Sequence, residues 1–151
     1  VMANHTIAAF QAVEVAPAST SGGGVEGFKI FEYQLKGDAG ITVSAADTVE
    51  MWELPATAGL IVNAASVETV ISGTAGAATL DVQIAPGGTY ADVTALTGFA
   101  LNGAVGLQLV KFATGANTAT HTAATTMRVQ INTAGLGKGE WIVRVYGLIA
   151  Q

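Results

Sequence analysis

The sequence predicts an all-β chain, an antiparallel β-sandwich or jelly roll with a short N-terminal arm. Three observations predict it. Apolar and polar residues alternate wherever the sequence is patterned, and glycine-marked turns recur about every ten residues. No window holds a helical period flanked by caps, and the helix formers Leu, Lys, Glu and Arg are thinly spread.

In chain order, residues 6–15 can form a strand. The stretch Ala16-Pro17-Ala18-Ser19-Thr20-Ser21-Gly22-Gly23-Gly24 has the composition of a flexible linker. Residues 1–24 are therefore expected as arm and linker, and 25–151 as the sandwich. Segments 28–36, 48–54, 60–72 and 140–149 read as strands with both faces partly covered, and 104–112 as a weaker one. In Thr79-Leu80-Asp81-Val82-Gln83-Ile84 and Thr126-Met127-Arg128-Val129-Gln130-Ile131-Asn132 the alternation is strict, which marks half-buried antiparallel strands. Residues 114–126 read as a loop or a flat edge strand. Residues 141–149 form the most β-prone stretch, expected at the centre of a sheet or against a neighbouring subunit. Turns are expected at 36–40, 72–76, 86–88 and 135–139, where glycine supplies the positive φ of tight connections. Gly135-x-Gly137-x-Gly139 reads as a hairpin.

Composition bounds the function. Hydrophobic residues make up 50% and charged residues 11%, with a mean hydropathy of +0.48; an ordinary domain carries about 25% charged residues. Part of the exterior must be small and weakly polar, or covered by a partner in an oligomer or larger assembly. The net charge is −5 and the pI about 4.7. The six basic residues (Lys29, Lys36, Lys111, Arg128, Lys138, Arg144) form no stripe, so neither nucleic acid nor a membrane surface is an expected partner. No apolar run approaches the ~20 residues of a membrane span. The first residues lack the basic and apolar regions of a secretory signal, and Met2 reads as a natural start. The absence of cysteine excludes disulfides, thiolate metal sites and a cysteine nucleophile.

No residue pattern points to catalysis. His5 and His121 lack a neighbouring second ligand and read as exposed loop histidines, so no metal is expected. Asp47, Glu50 and Glu53 cluster before Leu54-Pro55, but Glu50 and Glu53 lie an odd number apart and fall on opposite faces of a strand. They read as a solvated edge or as ion-pair partners at an interface. Asp38 is a single carboxylate in its turn, too few for calcium. Gly22-Gly23-Gly24 lacks the Lys-Ser/Thr of a phosphate loop, and no serine sits in a Gly-x-Ser-x-Gly frame. No enzyme activity, cofactor or small-molecule substrate is expected. Trp52, Trp141, Val143 and Tyr146 are expected to pack a core or an oligomer contact, with Trp52 or Trp141 as the alternative platform for a carbohydrate.

The segment Ala46-Asp47-Thr48-Val49-Glu50-Met51-Trp52-Glu53-Leu54-Pro55 leads into Gly59-Leu60-Ile61-Val62-Asn63-Ala64-Ala65-Ser66-Val67. Gly73-Thr74-Ala75-Gly76-Ala77-Ala78-Thr79-Leu80-Asp81-Val82-Gln83 follows. This order resembles the head decoration (cement) proteins of tailed bacteriophages: an Asp-Thr-led strand ending in Leu-Pro, a long apolar strand, a Thr/Ala/Gly-rich turn and a Leu-Asp-Val strand. The resemblance covers about the middle third of the chain, and Gln83 departs from it where glycine is as often expected. It implies a jelly roll that forms a homotrimer on the outside of the virion capsid, made in the host cytoplasm, with the major capsid protein and itself as partners. The arm is then the expected capsid anchor, through Met2, Ala3, Asn4, His5, Thr6, Ile7, Phe10 and Val13. The competing expectations are a receptor-binding or fibre-tip module recognising a surface glycan, an enzyme of unknown type, against which the missing acid–base constellation counts, and a subunit of another shell or surface layer.

Overall fold

A computed structural model describes residues 4–5, 12–15, 27–37, 43–52, 59–73, 76–85, 89–106, 108–114, 118–120 and 127–150, with backbone alone at 4–5, 12–15, 27, 51–52, 118–120 and 150. Every regular element among them is a strand: β1 (Asn4–His5), β2 (Ala12–Val15), β3 (Gly27–Lys36), β4 (Thr48–Trp52), β5 (Gly59–Ile71), β6 (Thr79–Ile84), β7 (Ala91–Asp92), β8 (Phe99–Ala100), β9 (Gln108–Phe112), β10 (Thr118–Thr120), β11 (Met127–Asn132) and β12 (Glu140–Ala150).

The strands form two sheets. One has the order β2-β3-β12-β5, with β9 and β10 both on the far edge of β5; the other has β1-β4-β11-β6, with β7 and β8 both on β6. The pairings nest. Strand β3 pairs with β12, β4 with β11, β5 with β9 and β6 with β8, all antiparallel. The chain is thus one long two-stranded ribbon wrapped over itself, and the wrapping creates the further pairs β12–β5 and β11–β6. That is the connectivity of a jelly roll. As expected, β12 occupies the middle of its sheet.

Alternation decides which side chains fill the space between the sheets. Phe31, Tyr33 and Leu35 of β3, Leu60, Val62, Ala65 and Val67 of β5, and Trp141, Val143, Val145 and Ile149 of β12 line one wall. Val49, Leu80, Val82, Ile84, Met127, Val129 and Ile131 line the other. Polar groups inside are tied down. The Tyr33 hydroxyl donates to the Glu50 carbonyl and so links β3 to β4 across the sandwich. The Trp141 indole N–H donates to the Leu101 carbonyl at 2.9 Å. Its ring fills a slot between two glycines: a Cβ at Gly139 would sit 2.6 Å from indole Cη2, and one at Gly73 2.9 Å from the same atom.

Several expectations change. Gly135-x-Gly137-x-Gly139 is not a hairpin. It carries the chain from β11 in one sheet to β12 in the other, and the Gly37 N–H donates to the Gly139 carbonyl at 2.9 Å to brace the corner. Gly37 and Gly73 likewise follow strands whose successors lie in the opposite sheet. His5 belongs to a strand rather than a loop, since β1 runs parallel to β4 with His5 opposite Val49; His121 lies outside the described residues. The 104–112 segment becomes strand only at Gln108, because Val105-Gly106 makes a turn whose Gly106 N–H donates to the Thr69 carbonyl at 2.8 Å. Part of 114–126 is edge strand, as β10.

Two predictions follow from the packed core. Gly73→Ala should cost about 1–3 kcal/mol by overpacking the indole, and should cost less in a Trp141→Phe background, read as coupling in a urea-unfolding double-mutant cycle. Burial, with the Glu50 charge adding to it, raises the Tyr33 phenol above its ordinary value. A raised folded pKa means that Tyr33 contributes stability fully below pH ~10 and loses it as the pH climbs further. Tyr33→Phe should therefore flatten the alkaline fall in stability by up to about 1.4 kcal/mol per pH unit, measured by denaturant titration above pH ~10.

Candidate assembly surface

A sandwich offers partners the outer faces of its two sheets, and here the two differ in chemistry. On the β11 sheet the outward positions are Glu50, Asp81, Gln83, Arg128, Gln130 and Asn132, because each alternates with a core residue. They bind one another. Arg128 Nε donates to Gln83 Oε1 at 2.8 Å, and its guanidinium lies 3.9 Å from the Tyr90 ring centroid. Gln83 Nε2 donates to Asp92 Oδ1 at 2.8 Å, and Asn132 Nδ2 to Asp81 Oδ2 at 2.6 Å. Partial burial pulls the Arg128 pKa down, against the opposing influence of Tyr90, Glu50 and Asp92; a guanidinium stays charged through such a shift.

Past Lys36, Glu140 and the exposed Ile71 at one end, four further rows cross the β12 sheet. Gln34, Ile142, Glu68 and Gln108 stand in register, followed by Glu32, Arg144, Ser66 and Val110. Next come Ile30, Tyr146, Ala64 and Phe112, and last Phe28, Leu148 and Ile61. The first two rows are mostly polar. Arg144 donates through Nε to Glu32 Oε2 at 2.9 Å and through Nη1 to Glu68 Oε2 at 2.7 Å. Partial burial alone would lower its pKa, but the hydrogen bonds and charges of Glu68 and Glu32 outweigh this and raise it. Ser66 Oγ accepts from Gln108 Nε2 at 3.1 Å and lies 3.3 Å from the Tyr146 hydroxyl.

The last two rows are apolar but for the Tyr146 hydroxyl, and open apart from Ala64, which is buried, and the half-buried Ile30 and Tyr146. Phe28 is 45% exposed, Ile61 36%, Leu148 40% and Phe112 71%, with Val110 beside them at 53%. A bulge in β5 between the pairs of Tyr146 and Gly147 leaves Asn63 without a partner on β12, while its carbonyl accepts from the Ala113 N–H at 2.8 Å, and a Cβ on Gly147 would lie 2.7 Å from the Ile61 carbonyl oxygen. Glycine there lets β5 kink against β12 while Ile61 stays on the outer face. At the neighbouring edge, Lys111 of β9 points back over the sandwich. Its ammonium sits 4.8 Å from the Phe99 ring centroid and donates to the Thr97 carbonyl.

The residues singled out from the sequence separate in space. Met2, Ala3, Thr6, Ile7 and Phe10 lie outside the described residues. Asn4 and His5 lie in β1, Val13 in β2 opposite Glu32, and Trp52 in β4 opposite Met127. Trp141 and Val143 are fully buried in their own core, whereas Tyr146 is half-buried on the outer face. Asp47 is buried in a turn, where its Oδ2 accepts from the Ser44 N–H at 2.8 Å, so it does not join Glu50 on the β11 face; Glu53 lies outside the described residues. No group of three or more His, Cys, Asp or Glu among the described residues could hold a metal. The Phe28, Ile61, Leu148 and Phe112 surface escaped the sequence reading. Its members come from four strands far apart in the chain, and in 60–72 apolar residues mark both faces.

No protein-family model matches the chain, and no curated protein is similar to it in sequence. Among solved structures, a chain in the capsid of Ralstonia phage GP4 is 18% identical at a TM-score of 0.49, covering 89% of this chain and 88% of that one. A chain of the Cyanophage Pam1 capsid asymmetric unit is 20% identical at 0.46, covering 88% and 94%. The jelly-roll connectivity stands on the strand pairings alone.

Arg144→Met should leave Glu32 and Glu68 facing each other without their shared cation. We expect a loss of about 1 kcal/mol at low salt, shrinking toward zero near 1 M salt as the two carboxylates are screened, measured by urea unfolding at both ionic strengths.

Proposed function

We propose that the chain is a structural protein of a tailed-phage virion, a decoration protein that binds the outside of the head as a homotrimer and stabilises the expanded capsid. The observation that carries this reading is the open apolar half of the β12 face, on a chain with few charges overall: such a surface fits a protein that works while covered. The ordered motifs of residues 46–83 supply the partner class. They fall on β4, β5 and β6, so the resemblance spans both sheets rather than one hairpin.

Mechanically, each copy contributes a modest contact to the major capsid protein, and a trimer multiplies it. Once one subunit is bound, the others meet the lattice at a high effective concentration. Binding that favours the expanded lattice over its dissociated or contracted forms stabilises it by mass action against the pressure of packaged DNA. No bond is made or broken in this role, and no cofactor takes part. The arm, from Met2 to Val15, is the proposed capsid anchor. Its β1 and β2 segments lie on β4 and β3, the adjacent outer strands of the two sheets, where they can be exchanged for a strand of the capsid.

The test is co-sedimentation of the purified chain with expanded, undecorated heads of the phage that encodes it. Saturable binding to expanded heads, and weaker binding to unexpanded ones, is the expected result. Folded protein that stays in the supernatant would sink the proposal. Deleting residues 1–15 should reduce head binding at least about tenfold while the circular dichroism of the sandwich is kept.

A further inference from the structure

We infer that the apolar half of the β12 outer face, formed by Phe28, Ile61, Leu148, Phe112 and Val110, is the surface through which copies of this chain contact one another. The inference deepens the reading above by giving the homomeric contact a place, and it rests on that reading only in taking the chain to assemble with itself.

Area is the first argument. At the exposures given above, the two phenylalanines and three aliphatic side chains offer on the order of 400 Å² of apolar surface. One side of a standard interface buries roughly 800 Å², a little over half of it apolar, which is the same quantity. The patch is therefore about the size that one partner of a stable homomeric contact requires.

Charge is the second. The chain carries −5, so its copies repel at a distance. The two apolar rows carry no charge, and the charges beside them, Arg144, Glu32 and Glu68, are already closed on each other. A partner selected by opposite charge would find nothing in these rows to pair with. Around a three-fold axis each copy brings the same uncharged surface to its neighbours and places no like charges in the contact. The β11 face, by contrast, is a continuous polar network with aspartates and Glu50 along it, where copies would bring carboxylates together.

The β9 edge argues for face over edge. Lys111 turned inward over Phe99 puts a cation where an added strand would lie against the sandwich, a device that discourages edge-to-edge pairing. Phe112 and Val110, on the other side of the same strand, stay open to a partner lying on the face.

The experiment is sedimentation equilibrium of the full chain from about 1 to 100 µM, with a Phe112→Glu/Leu148→Glu double variant and Thr79→Glu on the opposite sheet as control. Wild type and control should be multimers of the same mass, and the double variant a folded monomer or at least about tenfold weaker in self-association. If the double variant unfolds, Phe112→Ser, at the most exposed position, replaces it and should weaken association in the same direction. A wild type that is monomeric throughout would overturn the inference, as would a folded face variant of wild-type mass. In that last case, loss of head binding by the variant would give the face to the capsid instead. A multimer that ignores heads keeps this inference and sinks the capsid role; a monomer that binds heads does the reverse.

Discussion

The chain's last strand is hydrogen-bonded on both edges at once, from Glu140 to Ile149 against β3 and to Ala150 against β5. Its inward side chains, Trp141, Val143, Val145 and Ile149, are all buried. Until it is in place, the sheet that includes β3 and β5 is two separate pieces, and the indole slot between Gly73 and Gly139 is empty. Joining the first long strand of the sandwich to the last makes most contacts non-local, the kind of topology that folds slowly and all at once. The two core hydrogen bonds, Tyr33 to Glu50 and Trp141 to Leu101, fix how the sheets sit on each other once this closure has happened.

With the core settled, the outer faces are free to differ, and the same alternation that fills the inside fixes what each shows. On the β11 sheet the described outward positions of β4, β6 and β11 are polar, and many of these side chains bind one another. On the β12 sheet the outward positions change along the strands, from a bound Arg-Glu-Glu cluster near the middle to bare Phe, Ile and Leu at one end. Burying those groups against water would be favourable by about 25 cal/mol per Å². In a monomer that gain is left unrealised, which is why this half of the surface is the natural place for a contact between copies.

The assembly role proposed for this chain would need little chemistry. Its demands are a rigid body that holds shape without disulfides, a surface that stays soluble alone, and contacts that become favourable when repeated. The low charge of the chain serves the last of these, and the polar β11 network serves the second. In that role strength would come from the number of weak contacts made together, so no single residue need dominate.

Much of this was legible in the sequence, because period two is a local property of the chain. Strict alternation in Thr79–Ile84 and around Met127–Asn132 located two strands and named their core residues, and the β-prone 141–149 segment was read as central. Composition predicted an exterior that is small and weakly polar or covered by a partner. What the sequence could not decide was pairing. Gly135-x-Gly137-x-Gly139 has the chemistry of a hairpin, yet it is a corner between sheets, because a turn's residues set its local geometry and not the sheet its next strand joins. The open surface was hidden for the same reason. Phe28, Ile61, Leu148 and Phe112 belong to strands distant in the chain, and only the register of β3, β12, β5 and β9 brings them onto one face. Local patterning thus determined which residues face in or out of a β layer, while the non-local strand pairings decided which outward residues became neighbours.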